Sequence, residues 1–141
     1  MRLNTVIGVL LLLITVGCSS GTSLKKIDNY IFLHDNSSKV WLVDKLLINK
    51  NDYTPMRFRF KQIIVFHESR NAYFYRLNEM GEKPGAKTYY WMDRTKNEFG
   101  FSVGQKEWVF EIKQLSRTRL VLRPKNNSYP YTMVLVPFPE Y

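Results

Sequence analysis

The residue types able to do chemistry are few in this chain, and their spacing is poor for catalysis. There are two histidines, His34 and His67, and one cysteine, Cys18. A cysteine-rich or Cys–His metal cluster is excluded by that count. His67 stands next to Glu68, the one adjacent pair that could act as an acid/base unit. A strand-end position makes a solvated hairpin residue the simpler reading of His67. No serine has a G-x-S-x-G context, and no glycine-rich stretch could cradle a phosphate. The residues point to no cofactor, no metal and no enzymatic activity. What remains is the thiol of Cys18. It follows a short apolar run, Val6–Val16, with Arg2 ahead of it and Gly17-Cys18-Ser19-Ser20 behind. The run falls short of the roughly 20 apolar residues that span a bilayer. It has the length of a signal-peptide core followed by a small-residue cleavage site.

A cysteine at that cleavage site resembles the lipobox of bacterial lipoproteins, with Gly17 as the small residue before it and Thr15 where leucine is usual. The resemblance implies acylation of Cys18 after removal of residues 1–17. Each buried methylene of an acyl chain adds about 0.8 kcal/mol of membrane affinity, and two or more chains make the anchor stable. Leader removal takes away one arginine of the 21 basic residues and none of the 12 acidic ones, leaving +8. Such a balance favours acidic partners. Nucleic acid is discounted as a partner for an exported lipoprotein. With no second cysteine, the mature chain has no intramolecular disulfide and must fold on packing and hydrogen bonds.

The elements that would carry any binding residues are strands. Residues 18–34 read as a lipidated tether, with a short helix or turn over Asp28–Leu33, and residues 35–141 as one domain. Strand patterns run over 40–48, 56–66, 72–77, 88–92, 98–103, 108–115, 119–123 and 131–136, separated by polar or Gly/Pro-containing turns. About eight short strands with no long amphipathic helix predict an all-β fold, a small antiparallel eight-stranded barrel or a closely related sandwich. Closure removes the exposed edges that invite aggregation.

Two sets of residues stand out as candidate interaction surfaces. In the first, Arg57, Arg59 and Lys61 alternate with Met56, Phe58 and Phe60. As one strand this would put the three cations on one face and the two phenylalanines on the other. Arg117, Arg119 and Arg123 form a second basic group, on and around a later strand. The second set is aromatic: Tyr73 and Tyr75 share one strand face, and Tyr89 and Trp91 another. Tyr, Trp and Arg are the commonest anchors of binding hot spots. These four define a candidate aromatic pocket or interface. Trp108, Phe110, Phe58 and Phe60 are expected to point inward and fill the barrel.

The segments Lys39–Val43, Ile63–Phe66 with Ala72–Tyr75, and Trp108–Leu122 resemble the lipocalin-like domain of small lipoproteins of the Bacteroidota. The resemblance covers roughly residues 39–136. It implies a lipocalin-like barrel and no invariant active site. The absence of Asp and Glu from residues 19–26 implies, by the same resemblance, an outer-membrane location facing the periplasm. The expected role is a non-enzymatic binding or accessory subunit of a cell-envelope assembly, of the kind that serves secretion, gliding or uptake. Its partners would be the membrane, through Cys18, and an envelope protein. The alternative is a lipocalin-type carrier of a small apolar ligand, with an acidic ligand as a further option.

Overall fold

The computed structural model describes residues 29–138; Cys18, the expected leader and most of the expected tether lie outside the described residues. A four-residue helix, α1 (Ile31–His34), precedes nine strands. These are β1 (Ser38–Ile48), β2 (Asn51–Asp52), β3 (Gln62–His67), β4 (Asn71–Arg76), β5 (Ala86–Asp93), β6 (Glu98–Val103), β7 (Lys106–Leu115), β8 (Leu120–Pro124) and β9 (Thr132–Pro137). Every pairing is antiparallel, and β9 returns to pair with β1. The result is a closed eight-stranded, lipocalin-like barrel, with β2 as a short extra strand paired to the end of β1.

Alternation along the strands sorts side chains between interior and exterior. On β4, Ala72 and Phe74 face in while Tyr73 and Tyr75 face out. The interior holds Trp41, Phe66, Tyr90, Phe99, Phe101, Phe110 and Met133, all essentially inaccessible to solvent. Phe66 sits at the centre, 4.9 Å from the Tyr90 ring and 5.9 Å from those of Phe99 and Phe101. The first two are edge-to-face and the third is stacked; aromatic pairs in such arrangements add about 0.5–1.5 kcal/mol each beyond burial alone. The expected inward placement of Trp108 and Phe110 holds: Phe110 is buried, and Trp108 packs against the core.

One end of the barrel is closed by α1. Leu33 is wholly buried in the core, and the Trp41 indole N–H donates to the Leu33 carbonyl at 3.0 Å. The Tyr30 hydroxyl donates to the Met92 carbonyl and accepts from the Met92 N–H, at 3.0 and 2.7 Å. The Arg70 guanidinium lies 3.4 Å from the centre of the Tyr30 ring. Residues 29–34 are therefore part of the folded unit, which a boundary at residue 35 leaves outside.

One expected strand is corrected. Residues 56–66 do not form a single strand. The segment before Gln62 is a loop with a 3-10 turn at Phe58–Phe60, and only Gln62–His67 is extended in the sheet. The reason lies in β1. Its pairing with β3 ends at Leu42↔Ile63, and the register against β9 shifts between Val43 and Lys45. Further along, the edge of β1 opposite β9 is taken by β2 and by Tyr53 and Thr54, which bond to Leu46, so the chain before Gln62 finds no free β1 edge there to pair with. Phe58 and Phe60, expected inside, are 54% and 39% exposed.

Candidate functional site

The four aromatic residues chosen from the sequence all lie on the outer face of β4 and β5, but they do different things. Tyr73 stands opposite Lys87, and Asn71 opposite Tyr89, so Tyr73 and Tyr89 are diagonal neighbours, within reach of large side chains. Tyr73 also meets the edge of the His67 ring at 5.2 Å. Thus His67 is packed on an aromatic rather than held against Glu68, whose backbone N–H donates to the Ser37 carbonyl. Tyr75 and Trp91 are covers. A Cβ placed on Gly85 would stand 2.5 Å from the Tyr75 ring, and one on Gly100 only 2.2 Å from the Trp91 ring. Both rings lie against backbone that only glycine leaves bare; at Gly100, inside β6, the arrangement shields a sheet position lacking a side chain. The Trp91 indole N–H is buried there without a hydrogen-bond partner. Tyr89 is left as the open member, 56% exposed, with the Lys87 ammonium 5.6 Å from its ring centre.

The basic residues do not form one patch. Lys61 is tied to β1, with its ammonium 3.3 Å from the Asp44 carboxylate and 3.2 Å from the Asp44 carbonyl. Arg123 is paired with Glu111 across β7 and β8. That guanidinium holds the Glu111 carboxyl below its usual range. Arg117 and Arg119 are exposed in and beside the β7–β8 turn, where the Arg117 carbonyl accepts from the Lys39 ammonium at 2.7 Å. Arg57 and Arg59 are exposed on the 53–61 loop and make no ion pair among the described residues. The three cations of the first set do not share a strand face, because there is no strand there to define one.

That loop concentrates exposed apolar surface in a way that a strand reading conceals. Tyr53, Met56, Phe58 and Phe60 are four of the six large hydrophobic residues exposed among the described residues, the others being Met80 and Tyr89. The loop is held at its start by Asp52, whose carboxylate accepts from the Thr54 hydroxyl and backbone N–H. Those bonds, with nearby Lys45 and Lys61 adding a smaller pull, keep the Asp52 carboxyl below its usual range. The Thr54 hydroxyl oxygen accepts from the Leu46 N–H, and Phe58 leans on Phe138 at 5.9 Å. The sequence signal for the loop was Pro55 together with the Asn49–Asp52 turn, since proline is disfavoured inside a sheet.

Three surface hollows open at or near the barrel end opposite α1. One of about 320 Å³ is lined by Val43, Leu46, Tyr53, Phe60, Gln62 and Arg76. A second, of about 270 Å³, lies across Gln62 and Arg76, towards Tyr75 and Lys83. The third, about 500 Å³, runs between the end of β1 and the 124–130 loop. Among the described residues no three His, Cys, Asp or Glu side chains converge as a metal site would require, and no helix is long and apolar enough to cross a membrane. No family model, no curated protein and no solved structure matches the chain.

Proposed function

We propose that this protein is an outer-membrane lipoprotein, anchored by acylation of Cys18 and facing the periplasm. In this reading it is a non-enzymatic binding or accessory subunit of a cell-envelope protein assembly. The observation that carries the binding role is the state of the barrel interior. A carrier needs room inside, and here the inside is occupied by the protein's own rings, from Trp41 and Phe66 to Phe110. Binding is then a property of the outer surface. The outer face of β4 and β5 is one candidate, with Tyr89 and Lys87 open to solvent and Tyr73 beside them. The lipid anchor rests on the resemblance of Gly17-Cys18-Ser19-Ser20 and the preceding apolar run to a lipoprotein leader.

The test is mild-detergent purification from the native membrane, with mass spectrometry of the chain and of whatever accompanies it. The expected result is a diacylated or triacylated N-terminal Cys18 and a stoichiometric envelope protein, lost from the Tyr73→Ala/Tyr89→Ala variant. A monomer carrying one specific small molecule would replace this reading with the carrier. An unmodified Cys18 with residues 1–17 still attached would remove the anchor.

A further inference from the structure

We propose that the 53–61 loop is a second, protein-borne membrane contact. Met56 and Phe58 enter an anionic phospholipid surface while Arg57 and Arg59 lie on its headgroups.

Four observations carry this. First, the apolar exposure is concentrated, with Tyr53, Met56, Phe58 and Phe60 within eight residues. Clusters of this kind mark contact with a protein or a membrane. Second, the tip of the loop projects, while Tyr53 and Phe60 line the hollow beside it. Met56 is fully exposed, at 102% of its reference area, so it projects from the surface rather than lining a hollow. A projecting, flexible apolar side chain suits a deformable apolar medium better than a preformed pocket. Third, the charges match the interface. Arg57 and Arg59 alternate with the apolar side chains and have no ion pair among the described residues. Arg59 already lies over the Phe60 ring at 4.8 Å. Long cationic side chains keep the head in the polar layer while the stem covers apolar surface. Two acids of β1 and β2 are engaged elsewhere: Asp44 by Lys61, and Asp52 by Thr54. Fourth, the span allows it. Eleven residue steps separate Cys18 from Asn29, which extended reach at most roughly 40 Å. That length lets a domain tethered at Cys18 turn this loop to the same bilayer.

Only the fourth observation rests on the anchor proposed above, and the test avoids it. The described sheet and core lie within residues 29–138, and the chain from residue 18 with Cys18→Ser retains all of them. It is mixed with vesicles of pure phosphatidylcholine, or of phosphatidylcholine with 30% phosphatidylglycerol, and sedimented. The expected result is binding to the anionic vesicles alone, released in 0.5 M NaCl. Arg57→Gln/Arg59→Gln should weaken binding roughly 30-fold, each cation near an anionic membrane contributing about a fivefold factor. Met56→Ser/Phe58→Ser should weaken it by at least a similar amount. Arg117→Gln/Arg119→Gln removes the same charge elsewhere and should follow the mild change expected from net charge alone, under threefold. A Met56→Cys chain labelled with an environment-sensitive dye should shift to the blue on anionic vesicles and be quenched by bromolipid. Three results would overturn the proposal: no vesicle binding at all, equal loss from the two arginine pairs, or loop variants that bind vesicles normally but fail to hold the envelope protein. The last would make the loop a protein-docking site.

Discussion

The base of the barrel and the 53–61 loop use the same residue types to opposite ends. At the base, an arginine, two aromatic rings and apolar side chains are closed in on one another. Arg70 covers Tyr30, Tyr30 is bonded at both its donor and its acceptor to Met92, and Trp41 donates to Leu33. In the loop, Phe58 and Phe60 stay exposed although Phe58 leans on Phe138 and Arg59 lies over the Phe60 ring, and Arg57 and Arg59 have no ion pair among the described residues. Residue type therefore says little about role. A cation on a ring is a structural clamp where hydrogen bonds and burial complete it. The same pair is available surface where they do not.

Stability measurements can break this contrast. Phe66→Ala removes the ring at the centre of the core and should cost about 3–5 kcal/mol, read from the denaturant midpoint. Phe58→Ala, half exposed, should cost under about 1 kcal/mol. Equal losses would show that the loop is a structural part of the barrel and would weaken its assignment as a contact surface.

A second effect sharpens the division on the outer face. Gly100→Ala forces a methyl group into the space filled by the Trp91 ring and should cost roughly 1–3 kcal/mol. In a Trp91→Ala background the same change should be nearly neutral, so a double-mutant cycle isolates the contact. Additivity would mean that Trp91 does not cover the glycine in solution. Its partner in the candidate set, Tyr89, lies over no glycine among the described residues, and Tyr89→Ala should change stability by about 0.5 kcal/mol or less.

Tyr30→Phe tests the clamp itself. It leaves the ring under Arg70 but strips both hydrogen bonds to Met92, and should cost roughly 1–2 kcal/mol by thermal or chemical unfolding. An unchanged midpoint would mean that the two hydrogen bonds add nothing to the hold that Leu33 and the Arg70–Tyr30 contact already give α1.

The smallest effect concerns charge. Bonding to Arg123 lowers the Glu111 carboxyl below its ordinary value near 4.5. A carboxyl lowered in the folded state contributes stability above its unfolded value, and that contribution fades as pH falls through the folded one. Arg123→Gln should therefore move the Glu111 titration, followed by carboxyl carbon NMR, upward towards 4.5. The group is solvent-exposed, so screening keeps the accompanying change in stability slight. No upward movement would mean that the pair is not formed in solution.

Much of the architecture was legible because β patterns are local. Alternation along 98–103 and 108–115 marked β6 and β7 within two residues at either end. Positive φ angles at Asn49, Asn97 and Gly104 fall in turns that Asn and Gly already announced. The aromatic set on β4 and β5 was legible as a face. Its split into two covers and one open ring was not, because Gly85 and Gly100 meet Tyr75 and Trp91 only across strands. The exposed loop was missed for a related reason: Met56–Phe60 keeps period two, and period two reads as a strand whether or not a partner exists.

The sequence alone determined the eight-strand, disulfide-free, all-β design, the positive balance and the apolar run ahead of Cys18, since these depend on composition and near-neighbour pattern. Tertiary structure alone decided where the third strand begins. A strand persists only where a neighbour supplies backbone hydrogen bonds, and beyond Leu42↔Ile63 that edge of β1 goes to β2 and the start of the loop. Arg57, Phe58 and Arg59 are left outside the sheet.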